Sequence, residues 1–347
     1  MNDALLEMLL CPRCRQGSLQ AARRDGDEGE LRCAACDAVY PVVRGIPRLL
    51  KQPLQGAELQ SQQSFSAKWA RQRDYGAKGS PTERFQREWY LRRYGWKSED
   101  ELRSFLSTKS RILDAGTGLG RDSLWYHELS GRPVVALDIS TAVDTVREKF
   151  RAYPDIHPVQ GDILELPLQD ESFDFVACDQ VLSNIADPRQ GLARLVSACR
   201  RGGHIIYYVY KKKGPIREFC DDHVRARVTQ MSPEEAWEWS ARLTRFAHAL
   251  SDLKVTVEVP EDLAVLDLPA GRYDLQRFIY YQVFKAFWND EFTFDENVLV
   301  NYDWYHPAFT FRFAPEEARS WAGELGLEIV RMDLEDASAI SVLARRI

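Results

Sequence analysis

Arg111-Ile-Leu-Asp-Ala-Gly-Thr-Gly-Leu-Gly-Arg121 is the stretch on which the fold of this 347-residue chain turns. Ile112 and Leu113 form a short apolar run, Asp114 closes it, and glycines follow at 116, 118 and 120. That order predicts a buried strand, a tight turn and the start of a helix. Glycines at such a turn let the backbone approach a ligand where any Cβ would collide. A dinucleotide-binding loop would read G-x-G-x-x-G/A. Counted from Gly116, the sixth position is Arg121, so that pattern fails.

Around this loop, strand and helix patterns alternate, which predicts an α/β fold with a parallel sheet and helices on both faces. Strands are expected at 111–115, 133–137, 157–160, 173–178 and 203–209, with helices near 121–129, 141–151 and 188–199. Ligands in such sheets bind outside the carboxyl ends of the strands. The residues there are Asp138 and Ile139, then Gly161, Asp162 and Ile163, then Asp179, Gln180 and Val181. An acid after the second strand accepts from a ribose diol, which suits NAD or S-adenosylmethionine. An acid after the third can accept from an adenine amino group, with Ile163 against the ring. A lone acid at a strand end also commonly caps a helix, so the order of the set carries the reading.

Acids after strands one, two and three, with glycines in the first loop, resemble the class I S-adenosylmethionine-dependent methyltransferases of the type 11 kind. The resemblance covers 111–210 closely and the C-terminus more loosely. It implies a Rossmann-like seven-stranded sheet, S-adenosylmethionine as cofactor, and direct methyl transfer. It also implies that Asp114, Gly116, Thr117, Gly118, Gly120 and Arg121 contact the methionine and ribose part. Asp138 and Ile139 would hold the ribose, Gly161, Asp162 and Ile163 the adenine, and Asp179, Gln180 and Val181 the floor near the sulfonium. The tail fits the same family, with a helix at 314–326 and strands at 327–334 and 339–345, the last inserted antiparallel.

Four of the seven cysteines form Cys11-Pro-Arg-Cys14 and Cys33-Ala-Ala-Cys36, a C-x2-C-x18-C-x2-C spacing that predicts a structural four-thiolate zinc ribbon. Two disulfides are the alternative, disfavoured in a reducing compartment. The surrounding residues 1–50 resemble the small zinc-binding activators of tRNA and release-factor methyltransferases, here fused in cis. The expected organisation is a ribbon at 1–50, a polar Gln-rich linker at 51–64, and a methyltransferase domain at 65–347 with a helical lid insertion near 211–313.

The acceptor is less legible. Direct displacement needs alignment more than a base, so the acceptor side is free to vary. His223, His306 and Tyr210 are the candidate catalytic residues, each of which can equally be a packing residue. Lys211–Lys213 and Arg217 are candidates to hold a carboxylate or phosphate, or else form a solvated loop. Within the lid an amphipathic helix is expected at 233–250 and an aromatic one at 273–288. No Asn-Pro-Pro-aromatic motif follows the fourth strand, which disfavours base or glutamine amino-group methylation by that route.

The leading expectation is a small-molecule, glycan or natural-product acceptor. The alternative is an RNA methyltransferase gripping phosphates with the ribbon and the basic, aromatic segment 68–97. A non-catalytic cofactor-binding scaffold ranks below both. The net charge of −6 gives no global pull towards nucleic acid, and no apolar run reaches membrane-spanning length. The acidic first residues lack a signal-peptide pattern, so a cytoplasmic location is expected.

Overall fold

Ile112, Leu113 and Ala115 are wholly buried, a burial that a strand reaches only when it is flanked on both sides and covered on both faces. The computed structural model describes residues 3–51 and 53–347. Four ribbon strands come first: β1 (Leu19–Asp25), β2 (Glu28–Cys33), β3 (Val39–Val43) and β4 (Ile46–Leu49). Then follow β5 (Ile112–Ala115), β6 (Val134–Asp138), β7 (Ile156–Gly161), β8 (Phe173–Cys178) and β9 (Cys199–Lys211). β10 (Thr256–Val259) and β11 (Gly271–Asp274) form a small hairpin in the lid. β12 (Arg312–Phe313), β13 (Leu327–Asp333) and β14 (Ala339–Arg346) complete the set.

The central order is β7-β6-β5-β8-β9-β14-β13, seven strands as expected. The first five run parallel, with Leu113 opposite Val135 on one side and Val176 on the other. β14 runs antiparallel to both β9 and β13. Alternate residues of β5 serve opposite faces. Ile112 packs with Tyr90, Leu102, Trp125 and Tyr126, and Leu113 with Val135, Val176 and Leu192.

The ribbon is not a bead on a string. β1 to β4 form an antiparallel meander, and β4 then pairs in parallel with β7, Arg48 opposite Gln160 and Leu49 opposite Gly161. One 12-stranded sheet results. Ribbon residues Leu5, Met8, Leu9, Leu31 and Tyr40 share a core with Leu137, Val159, Leu166 and Leu168. Pairing with β4 also removes β7 as an open edge, which would otherwise template association.

Two expectations need correction. The stretch read as a linker, 51–64, contains the start of a 16-residue helix, Gly56–Arg71. Some of its polar side chains bond to distant parts of the protein. Gln60 Nε2 donates to the His306 carbonyl at 2.8 Å, and Ser64 Oγ lies 2.7 Å from His306 Nδ1. The aromatic helix expected at 273–288 is instead β11, one helical turn at Leu275–Phe278 and a π-turn at Ile279–Val283. Its rings pack among themselves and against the cavity rather than along one helical stripe. The amphipathic helix is present as Pro233–Asp252, opened by a capping box between Ser232 and Glu235. It packs on the helix Phe294–Tyr305, and both meet Gly56–Arg71 to form the lid.

Candidate functional site

The carboxyl ends of β5 to β9 open into a cavity of about 720 Å³. That volume lies within the range of pockets that enclose a small molecule. Its floor is the glycine loop and the loop after β8, its walls the residues after the other strands, and its roof the lid and the helices Gly56–Arg71 and Pro81–Tyr94.

Gly116, Gly118 and Gly120 have φ of 85°, 53° and 77°, left-handed values that favour glycine. Side-chain packing demands glycine as well. A Cβ on Gly116 would strike Val181, one on Gly118 would lie 2.9 Å from Trp69, and one on Gly120 would lie 2.6 Å from Phe150. Gly116, Thr117, Gly118 and Arg121 line the cavity, whereas Gly120 backs onto the helix Ala142–Lys149.

Asp114 departs from its expected role of contacting the cofactor. It does not line the cavity but sits beneath the loop, its Oδ2 accepting from Thr117 Oγ1 at 2.7 Å and Ser123 Oγ at 2.6 Å. Burial, with Asp122 nearby, pushes its carboxyl up to about 7. Asp114 is a brace for the loop.

Asp138, Ile139, Gly161, Asp162, Ile163, Asp179, Gln180 and Val181 all line the same cavity. Asp138 Oδ2 accepts from the Gly118 N–H at 2.8 Å, and Oδ1 from the Ser140 N–H and hydroxyl. Asp162 Oδ1 accepts from Leu164 N–H at 2.9 Å, and burial raises its pKa. Gln160 Nε2 donates to the Ile139 carbonyl while its Oε1 accepts from Arg48 of β4, so the ribbon reaches to within two residues of Asp162.

The loop after β8 is held by residues that the sequence reading did not single out for this role. Arg93 binds Asp179 through two parallel bonds of 2.9 and 3.0 Å, and the Tyr94 hydroxyl adds a third at 2.6 Å. Burial alone would raise the Asp179 carboxyl, but Arg93 and these bonds hold it below the usual carboxylate range. The Arg93 guanidinium also stacks on Trp89, 3.7 Å from the ring centre. Gln180 beside it has φ of 61°, an uncommon conformation for a non-glycine residue and one that occurs at binding sites.

The four ribbon sulfurs, of Cys11, Cys14, Cys33 and Cys36, lie within 4.8 Å of one another. Cys11 and Cys36 sulfurs are 3.7 Å apart, and those of Cys14 and Cys33 are 3.6 Å apart. A tetrahedron of thiolates at Zn–S of about 2.3 Å has sulfurs about 3.8 Å apart, so the donor set fits zinc. No disulfide joins cysteines among the described residues.

Residues 113–207 match the methyltransferase domain family, and residues 2–45 match the Trm112p-like protein family. The chain carries a methyltransferase domain behind a Trm112p-like domain. The demethylmenaquinone methyltransferase of Renibacterium salmoninarum is 35% identical over 116 residues, 33% of this chain and 48% of that protein. The malonyl-[acyl-carrier protein] O-methyltransferase of Serratia marcescens is 34% identical over 98 residues, 28% and 37% of the two chains. The chain thus spans less than half the length of these curated relatives. A solved complex between the Haloferax volcanii Trm112 methyltransferase activator and a putative methyltransferase superposes with a TM-score of 0.41 at 15% identity. It covers 82% of this chain and 98% of that one.

Within the methyltransferase domain the candidate catalytic residues separate. Tyr210, at the end of β9, lines the cavity, and its hydroxyl lies 3.5 Å from Asn184 Nδ2. Burial raises its phenol far above the ordinary value, which keeps it protonated. His223 is exposed on the helix Pro215–Val228, does not line the cavity, and pairs with Arg227 one turn on at 2.7 Å. His306 is buried outside the cavity wall, bonded to Ser64 and to the Met231 carbonyl, and burial lowers its pKa. Both histidines are packing or surface residues, and no histidine lines the cavity among the described residues.

Of the basic lid residues, Lys213 and Arg217 line the cavity, while Lys211 turns to the Leu334 carbonyl. The basic segment 68–97 is largely neutralised. Lys68 pairs with Asp303, Arg71 with Glu234, Arg73 with Glu148, Lys78 with Glu128, and Arg87 with Glu83 and Glu99. Cavity-lining residues that the sequence reading missed, Trp69, Tyr75, Trp89 and Lys285, come from both ends of the chain. Their aromatic and basic types were visible in the sequence, but not the fact that they meet.

Proposed function

We propose that this protein transfers a methyl group from S-adenosylmethionine to a small-molecule acceptor enclosed beneath its lid. The observation that carries the proposal is one continuous cavity, with acid-tipped strand ends on one side and an aromatic, cation-lined chamber on the other. The donor set suits the cofactor. Asp138 offers a carboxylate for a vicinal diol, and Asp162 one for an exocyclic amine, with Ile139 and Ile163 for the ring faces. Bound there, S-adenosylmethionine supplies a methyl group already activated by its sulfonium.

The chain's own contribution is position and dryness. Val181 and Gln180, anchored by the Asp179–Arg93 pair, form a rigid floor. Tyr208, Tyr210 and the lid aromatics exclude water and leave an acceptor few orientations, which lowers the barrier to an in-line displacement. The enclosed chamber and the paired charges of 68–97 favour a small acceptor over RNA, which would need a continuous unpaired basic surface. Zinc at Cys11, Cys14, Cys33 and Cys36 would act structurally, because four protein ligands close its shell.

The test is a metabolite extract incubated with radiolabelled S-adenosylmethionine, with and without ribonuclease. Label should enter low-mass products and be indifferent to ribonuclease. Label that disappears on ribonuclease treatment would overturn the small-molecule reading.

A further inference from the structure

Asp221 is an organising carboxylate inside the lid, 1% exposed. Its Oδ2 accepts from Arg217 Nε at 2.5 Å and Trp304 Nε1 at 2.9 Å. Its Oδ1 accepts from the Tyr305 hydroxyl at 2.6 Å and from the backbone N–H of Lys285 at 3.0 Å. Four donors occupy its capacity, so it has none left for a further cation.

Lys285 stands beside it. The residue is 8% exposed and lines the cavity, with its ammonium 4.5 Å from the centre of the Trp304 ring. Its Nζ has no hydrogen bond or ion pair among the described residues. Asp303, which also lines the cavity, is taken by Lys68 at 2.6 Å. Lys213, whose Nζ donates to the Ala337 carbonyl, and Arg277 line the same cavity, neither in an ion pair among the described residues. Arg217 bridges the group, its guanidinium 5.4 Å from the Tyr280 ring and 5.5 Å from the Trp304 ring. A buried cation without a counter-charge is costly, and a protein keeps several together where a ligand supplies the anion. The surroundings are flat and apolar: Phe85, Tyr280, Phe287, Phe292, Trp304 and Phe309.

We infer that the lid side of the cavity is an anion subsite built on Lys285, Lys213, Arg217 and Arg277, and that the methyl acceptor is a flat, largely apolar molecule carrying a carboxylate or phosphate. This rests on the methyltransferase reading for the word acceptor, but the subsite itself stands on the lid alone. Burial, with Arg217 nearby, lowers both Lys213 and Lys285 to about 7, against the opposing pull of Asp336 on Lys213 and of Asp303 on Lys285.

The experiment uses the full chain saturated with S-adenosylhomocysteine, and three probes of one shape: 2-naphthoate, 2-naphthyl phosphate and naphthalene-2-carboxamide. Binding is read by calorimetry and tryptophan fluorescence. One or both anions should bind at least about tenfold more tightly than the amide, a difference of about 1.4 kcal/mol. Which anion wins distinguishes carboxylate from phosphate. Lys285→Met should bring the anion and amide within about twofold, whereas Lys285→Arg should keep the preference. Equal affinity for anion and amide in the wild-type chain, no binding of any probe at millimolar concentration, or a preference that survives Lys285→Met would each overturn the subsite. The wild-type comparison decides the matter even if a variant fails to fold. Failure to bind S-adenosylhomocysteine, with the anion preference intact, would instead sink the methyltransferase reading and leave the subsite standing.

Discussion

Arg93 and Asp179 face each other through two parallel hydrogen bonds, with 0% and 5% of their side chains exposed. The pair joins the helix Pro81–Tyr94, ahead of the sheet, to the loop after β8 that floors the cavity. Removing one partner of a buried ion pair leaves an uncompensated charge and costs about 3–5 kcal/mol. Arg93→Met should therefore lower urea stability by that amount and weaken S-adenosylhomocysteine binding. The double variant Arg93→Met, Asp179→Asn should recover much of the stability. A double variant no better than the single one would show that the charge pair is not the cause.

Asp114 should make stability depend on pH. Its folded pKa of about 7 lies above the ordinary aspartate value of 3.8, so the folded state binds the extra proton between those values. Stability contributed by the neutral acid is present at low pH and is lost as pH rises to 7. Asn mimics the neutral form. Asp114→Asn should gain stability relative to the parent from about pH 4 to pH 7, on the order of 2–4 kcal/mol in all, and then level off. Denaturant titrations at several pH values would read this, and a flat difference would contradict the assigned cause.

Because the ribbon shares its core with the sheet, metal removal should be felt by the whole chain. A strong chelator should lower the single melting transition by more than about 5 °C. Gly17→Ala should do the same without chelator, since the added Cβ would collide with Cys33 Sγ and sit 2.9 Å from Ala35 Cβ. An unchanged melt of the methyltransferase domain would mean the ribbon folds and unfolds independently.

Asp138 holds Gly118 and Ser140 while lining the cavity. Asp138→Ala should weaken S-adenosylhomocysteine binding at least about tenfold in calorimetry, in keeping with loss of a charge-assisted bond and of loop order. Affinity within twofold of the parent would remove this residue from the cofactor site.

His223, exposed on the outer face of its helix, offers a contrasting case. His223→Ala should leave label transfer within about twofold of the parent across pH 6–9, as expected of a surface substitution. A tenfold loss would restore it as a base and require the lid to rearrange.

The loop, the strand-end acids and the cysteine pairs could be read from the chain because each is a local device. A left-handed glycine, an acid at a strand terminus or two thiols on one turn acts within a few residues, so its spacing is its signal. Asp114 and Gly120 proved to lie off the cavity, because a buried support and a ligand contact look alike in a linear chain. Arg93, 86 residues from Asp179, had no such signal. Nor did Gly56–Arg71, whose glutamines and serines looked like a solvated linker until His306 and Ala308 proved to be their partners.

The sequence by itself therefore determined the sheet, the cofactor-type loop and the four-sulfur centre, through short-range geometry that tolerates little variation. The tertiary structure alone decided which charges meet. It neutralised most of the basic segment 68–97, set both candidate histidines outside the cavity, and brought Lys213 and Lys285, from distant parts of the lid, to one cavity. The reason is physical: a buried charge is defined by its counter-charge, and nothing in linear order says where in space that partner will lie.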